Sequence, residues 1–219
     1  MNQPRRGILL SHVLIAIAAV TLGGLFFRYN IRDNVIPRNF GVVEQGQIYR
    51  SGRLSSAMMA KVVRENQIKL VIDLGAFAPG SPEEILAQRT AQALGVRRVR
   101  FSLEGDGTGN PQHYIDALKL VADLANRPVL VHCAAGSERT SGCIMLYRRA
   151  FEGVPFETSM AESRAHKHDP EGNPALTEYL RKNGEEIVRR VLEETGAGAG
   201  KGGAAGADAP AGTSGSPAR

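Results

Sequence analysis

Between residues 40 and 194, short apolar runs of strand length alternate with amphipathic segments of helix length, and that alternation limits the chain to one broad architecture. KLVIDLG is an apolar run closed by glycine, VRRVRFSL alternates with period two, and PVLVHC is short and apolar up to its histidine. VVEQGQIYRS reads as a strand pair around a Gln-Gly turn. SPEEILAQRTAQALG carries a serine cap, a proline in its first turn, early acids and a closing glycine, which together mark a helix. SSAMMAKVVREN, PQHYIDALKLVADLAN, TSGCIMLYRRAFEG, ETSMAESRAHKH and PALTEYLRKNGEEIVRRVLEE supply the other helices. Strands interleaved with helices of this length predict an α/β domain whose central, mostly parallel sheet is flanked by helices.

The flanks read differently. Residues 7–27, GILLSHVLIAIAAVTLGGLFF, carry no formal charge, and such a run matches the ~20 residues a helix needs to cross a bilayer. The expectation is an N-terminal membrane anchor over 1–28, a transmembrane helix making this a single-pass membrane protein. A cleavable signal peptide is the competing reading, although the AxA at Ala16–Ala18 falls in the middle of the run. Arg5 and Arg6 on one side face Arg28, Arg32 and Arg38 on the other, so the side of the membrane stays open. Residues 29–39 form a linker, and 40–194 the catalytic domain. Residues 195–219, nearly all Gly, Ala, Ser and Pro, hold too little apolar surface to offset ordering entropy, so a disordered tail is expected. Twenty-seven basic residues against 22 acidic ones, no basic block and no tryptophan argue against a nucleic-acid partner.

The chemistry concentrates in VLVHCAAGSERTSG, residues 129–142. Cys133 ends an apolar strand, small residues follow, and a helix begins near Arg139. In α/β folds ligands sit beyond the carboxyl ends of strands, where loops enter helix N-termini. The backbone amides there converge on anions, and Gly136 permits the positive φ that a tight anion loop needs. Helix N-termini and nearby cations lower a cysteine's pKa and make it nucleophilic. Arg139 offers a planar fork to two phosphate oxygens, and Thr140 places a hydroxyl near the sulfur. Attack, cradle, clamp and release are thereby ordered along the chain, and the implied reaction is phosphoryl transfer to cysteine followed by hydrolysis. Cys-x5-Arg alone is weak evidence: Cys143 also precedes Arg149 by six residues, but a helical, glycine-free IMLYR separates them.

HCAAGSERTS resembles the signature of the cysteine-dependent tyrosine and dual-specificity phosphatases, His-Cys-x-x-Gly-x-x-Arg-Ser/Thr. NFGVVEQGQIYRSGRLS, residues 39–55, is similar to the opening of compact bacterial-type members, and KLVIDL to their second strand. The resemblance implies the family fold and hydrolysis that needs neither cofactor nor metal. It also implies Cys133 as nucleophile, Arg139 as phosphate clamp, and the amides of Ala134, Ala135, Gly136, Ser137, Glu138 and Arg139 as phosphate cradle. His132 and Thr140 take supporting roles. The family draws its general acid from the loop after the strand that precedes the cysteine's strand, here FSLEGDGTGNPQ. Asp106, in the flexible GDGTG, is the first candidate; Glu104 is its rival.

Asp73 suits a structural hydrogen-bonding role, and Gly75 stands where the family often has arginine. Arg50 and Arg53 are read as braces. His166 and His168, two residues apart, would face apart on a helix and make a poor metal pair. The loop segment AAGSE has no lysine and one acid, which favours phosphotyrosine, with phosphoserine or phosphothreonine, in a protein partner. A phosphoinositide or inositol phosphate remains the alternative, with Arg97, Arg98 and Arg100 available to compensate charge. Other classes fit less well. A non-catalytic phosphate-binding module has no use for both Cys133 and Arg139, and sulfurtransferase loops place basic residues around the cysteine.

Overall fold

The computed structural model describes residues 4–27 and 32–197. Part of the expected linker and nearly all of the expected tail, residues 198–219, lie outside the described residues.

Helix α1 (Pro4–Phe26) precedes the domain. Among the described residues no helix is long and apolar enough to cross a membrane. This corrects the expected transmembrane anchor over residues 7–27, and with it the membrane localisation and the membrane partner.

A short helix α2 (Arg32–Val35) leads into five strands: β1 (Gly41–Glu44), β2 (Ile48–Ser51), β3 (Leu70–Asp73), β4 (Arg97–Arg100) and β5 (Val129–His132). Their order in the sheet is β1-β2-β5-β3-β4. β1 and β2 form the predicted antiparallel pair, while β2 with β5, β5 with β3 and β3 with β4 are parallel. Helices α3 (Ser56–Asn66) and α4 (Pro82–Ala93) pack on one face. α5 (Pro111–Ala122), α6 (Glu138–Tyr147), α7 (Phe156–Ala165) and α8 (Ala175–Thr195) complete the fold, with α5, α6 and α8 over the other face. The predicted caps form: Ser81 Oγ accepts from Glu84 N at 3.2 Å, and Ser55 Oγ from Met58 N at 3.3 Å.

β5 runs through the middle of the sheet and is buried along its whole length. Its period-two alternation therefore separates two cores. Val129, Val131 and Cys133 join Ile144, Met145, Leu176 and Ile187, whereas Leu130 joins Tyr49, Met58, Val62 and Val71 under α3. The same alternation sends the Cys133 and His132 side chains to opposite faces.

Candidate active site

The loop 133–138 leaves β5 at the carboxyl edge of the parallel strands and enters α6. Gly136 has φ +77°, and a Cβ there would lie 2.5 Å from Gly52 N and 2.7 Å from Ser51 C. A Cβ on Gly52 would in turn lie 2.8 Å from Ala135 O. Two glycines thus let the loop rest directly on the end of β2, an approach that any side chain would block.

Three donors hold the loop's carbonyls from outside. Arg53 N donates to Ala134 O at 3.1 Å, Asn39 Nδ2 to Ala135 O at 3.3 Å, and Arg50 Nη2 to Gly136 O at 3.0 Å. In a trans peptide the N–H of the next residue points opposite to the carbonyl. Pinning these carbonyls outward therefore turns the N–H groups of Ala135, Gly136 and Ser137 inward. Gly136 N does donate to Cys133 Sγ, at 3.2 Å. The first helical bond of α6 runs from Ser141 N to Ser137 O, and Ser137 makes no side-chain cap. The N–H groups of Glu138, Arg139 and Thr140 are then first-turn donors without intrahelical acceptors, the arrangement that binds anions. Cys133 is 1% exposed and forms the floor.

The Arg139 guanidinium reaches across the loop to the end of β3, donating through Nη1 to Gly75 O and, at 3.4 Å, to Leu74 O. Gly75 has φ +84°, and a Cβ there would sit 3.2 Å from that nitrogen. The glycine that replaces the family's usual arginine therefore makes room for Arg139. Thr140 is fully buried, and its hydroxyl has no partner among the described residues.

Arg50 braces the loop as expected, but from the interior: it is 0% exposed and bonds Gly136 O and, at 2.8 Å, Ser141 Oγ. Burial lowers its pKa to about 10, against the pull of Glu162 and Cys133, so it stays cationic at neutral pH. Asp73 closes β3, accepting from Ala76 N at 2.7 Å and Arg98 Nη2 at 2.6 Å. Burial works to raise the Asp73 pKa, but His132, the Ala76 amide and Arg98 outweigh it and hold the carboxyl below its usual value. Arg98 also bonds Glu84 and Gln88, while Arg100 is held by Phe77 O and Ser102 Oγ. These two arginines are consumed by structure, so the compensating role suggested for them does not stand. His132 lies with Asp73, 3.8 Å away, on the face opposite the sulfur, and burial lowers its pKa against the pull of the Asp73 carboxylate. It lines a cavity of about 370 Å³ between α3 and α4, together with Arg53, Met59 and Leu86.

Asp106 sits half-buried in the loop 104–109. Its Oδ1 accepts from Thr108 N at 2.9 Å and Thr108 Oγ1 at 2.8 Å. The Thr108 amide is the main cause of its lowered pKa, burial opposes it, and the Arg139 charge lowers it further. Glu104 is exposed on the outer side of the same turn. Gly107 anchors that turn, its carbonyl accepting from Tyr114 Oη at 2.7 Å. A Cβ on Gly107 would lie 3.4 Å from the Glu138 backbone, so the turn packs beside the start of α6. Asp106 thus lies within reach of the Arg139 charge.

Cys143 is 0% exposed, and burial raises its thiol to about 12, so it is an inert core residue. His166 contacts Asn39 and His168 contacts Glu138, so the two histidines diverge. Sequence reasoning missed the Glu138–His168 contact because no local pattern links residues 30 apart.

The sequence model described as "Tyrosine phosphatase family" matches residues 34–190. The chain is 35% identical over 115 residues to the inositol diphosphatase DSP1 of Oryza sativa subsp. japonica, covering 51% of this chain and 49% of that one. It is equally similar, 35% over 115 residues, to the inositol diphosphatase DSP3 of Arabidopsis thaliana, covering 50% and 52%. The chain thus spans about half the length of the curated relatives it matches. Among solved structures, the core catalytic domain of the PP-IP phosphatase SIW14 from S. cerevisiae superposes with a TM-score of 0.58 at 21% identity, covering 73% of this chain and 94% of that one. At that identity the likeness concerns the fold.

Proposed function

From the chain's membership of the tyrosine phosphatase family, a class of phosphoric ester hydrolases, we propose that residues 40–194 hydrolyse phosphate esters through a cysteinyl-phosphate intermediate. The observation that carries this reading is the loop with its carbonyls pinned outward and its N–H groups turned onto the sulfur.

Substrate phosphate enters among the inward N–H groups, which replace its hydration with fixed dipoles. Cys133 Sγ attacks phosphorus; an S–P bond forms as the P–O bond to the leaving group breaks. Asp106 delivers a proton to the departing oxygen. Arg139 exchanges its carbonyl acceptors for two phosphate oxygens and follows the charge through the transition state. Asp106 then takes a proton from water, which attacks phosphorus and releases phosphate and the thiolate. Thr140, whose buried hydroxyl lacks a partner, is placed to donate to the sulfur as it leaves.

At rest Asp106 is held ionised by Thr108, and a phosphate dianion bound beside it pushes its carboxyl back up. The general acid must be protonated, so kcat should fall from mildly acidic toward neutral pH. Asp106→Asn should cut kcat on an alkyl phosphate by roughly 10²–10³-fold, and on p-nitrophenyl phosphate less, because that leaving group needs little proton help. The descending limb of the pH profile should vanish with it. If Glu104→Gln does this and Asp106→Asn does not, the two acids exchange roles.

For the substrate we favour inositol phosphates, diphosphorylated ones included, because the matching plant relatives are inositol diphosphatases. Phosphotyrosine in proteins is the second reading, favoured by a loop that carries Glu138 and no lysine. Full-length protein in EDTA, assayed against inositol polyphosphates and phosphotyrosine peptides, decides between them. A kcat/KM for the inositol compounds at least ~10-fold above that for the peptides, about 1.4 kcal/mol in the transition state, is the expected result. The reverse order would move the substrate to protein while leaving the chemistry intact.

A further inference from the structure

Glu138 is the one acid in the phosphate loop, and as a letter in the sequence it argues against a polyanionic ligand. Its place in the fold reverses that argument. The side chain is only 12% exposed, and its Oε2 lies 2.6 Å from Nδ1 of His168, whose side chain is 0% exposed. The other ring nitrogen, Nε2, is buried and has no partner among the described residues, where the ring's hydrogen bonding goes to Glu138.

The backbone delivers His168 to this point by a tight turn after α7. Lys167 adopts φ +67°, and His168 N donates to Ser163 O at 3.1 Å. Nδ1–H donates to the carboxylate, and a charge this buried is costly to leave without its donor. The carboxylate therefore stays docked under the α7–α8 connection instead of turning along the first turn of α6 toward the loop's N–H groups.

We propose that His168 is a positioning residue that holds the Glu138 carboxylate out of the anion bowl and thereby sets how well the protein tolerates polyphosphorylated ligands. The inference rests on the loop's being a phosphate site, and it extends that reading by naming what reconciles an acidic loop residue with a highly charged ligand. Freed from His168, the carboxylate repels every phosphate within reach, so the penalty grows with the ligand's charge; at intermediate dielectric one such charge weakens binding by roughly tenfold.

Calorimetric titration of the full chain with inorganic phosphate and with inorganic tripolyphosphate tests this without requiring turnover. The native protein should bind tripolyphosphate more tightly than phosphate. His168→Ala should weaken tripolyphosphate by roughly tenfold and phosphate by only about threefold. In a Glu138→Gln background the same His168→Ala change should cost less than about twofold for either anion, because no charge is released. An unchanged ratio of the two affinities in His168→Ala, or an equal loss persisting in the Gln background, would show a merely structural histidine and overturn the proposal. Should the alanine variant not fold, His168→Asn, which keeps a donor, and His168→Leu, which keeps bulk, decide instead: Asn must preserve the ratio and Leu must lose it. If the native protein binds neither anion, the phosphate-site reading falls together with this one. Binding of both anions without turnover of any inositol phosphate removes only the substrate assignment.

Discussion

Cys133→Ser is expected to abolish turnover, with kcat falling by roughly 10⁴-fold or more, while phosphate binding and the melting temperature should stay near native values. The sulfur lies at the floor of the loop, 1% exposed and contacted by the Gly136 amide. A serine hydroxyl in its place needs a general base to attack, and the surroundings offer none. His132 is the adjacent imidazole, but strand alternation sends its ring to the opposite face, beside Asp73 and Arg98. Asp106 is committed to Thr108, and Cys143 is a buried thiol. The cradle depends on backbone groups held by Arg50, Arg53 and Asn39, so one atom at its floor can change without disturbing binding. Steady-state assay with p-nitrophenyl phosphate and acid-quench trapping of phosphocysteine check this. Substantial activity in the serine variant would remove Cys133 from the nucleophile's place.

Arg139→Lys is expected to lower kcat/KM by roughly 10²–10³-fold, and Arg139→Ala by somewhat more. A lysine keeps the charge but loses the planar fork that meets two phosphate oxygens at once. The alanine variant also leaves Leu74 O and Gly75 O without the donor they share, a stability loss of about 1 kcal/mol. Because the fork follows charge that develops during transfer, most of the effect should fall on kcat and little on KM. A lysine variant that loses affinity but retains kcat would make Arg139 a binding residue only.

Much of this site was legible in a few contiguous letters, and physical reasons explain why. Cys133, Gly136 and Arg139 belong to one strand-loop-helix unit in which backbone geometry follows from local residue types: an apolar strand, a glycine at positive φ, and an uncapped helix start. The cap signature of α4 and the Gln-Gly hairpin were readable on the same grounds. The apolar run at the N-terminus was read as a membrane span, whereas no described helix is long and apolar enough for one. Asp106 and Glu104 could not be ranked from spacing, since flexible glycines surround both. Packing of the Gly107 turn beside α6 brings Asp106 under the influence of Arg139.

By itself the sequence determined the α/β alternation and the strand-loop-helix unit that carries Cys133 and Arg139, because those depend on neighbours along the chain. The tertiary structure alone decided that Arg98 belongs to Asp73, that Arg50 braces the loop from within, and that the Glu138 carboxylate rests on His168. Each of these joins a charged group to a partner distant in the chain. Their pairing is enforced by the cost of burying a charge without a partner, and that cost arises only once the fold has excluded water.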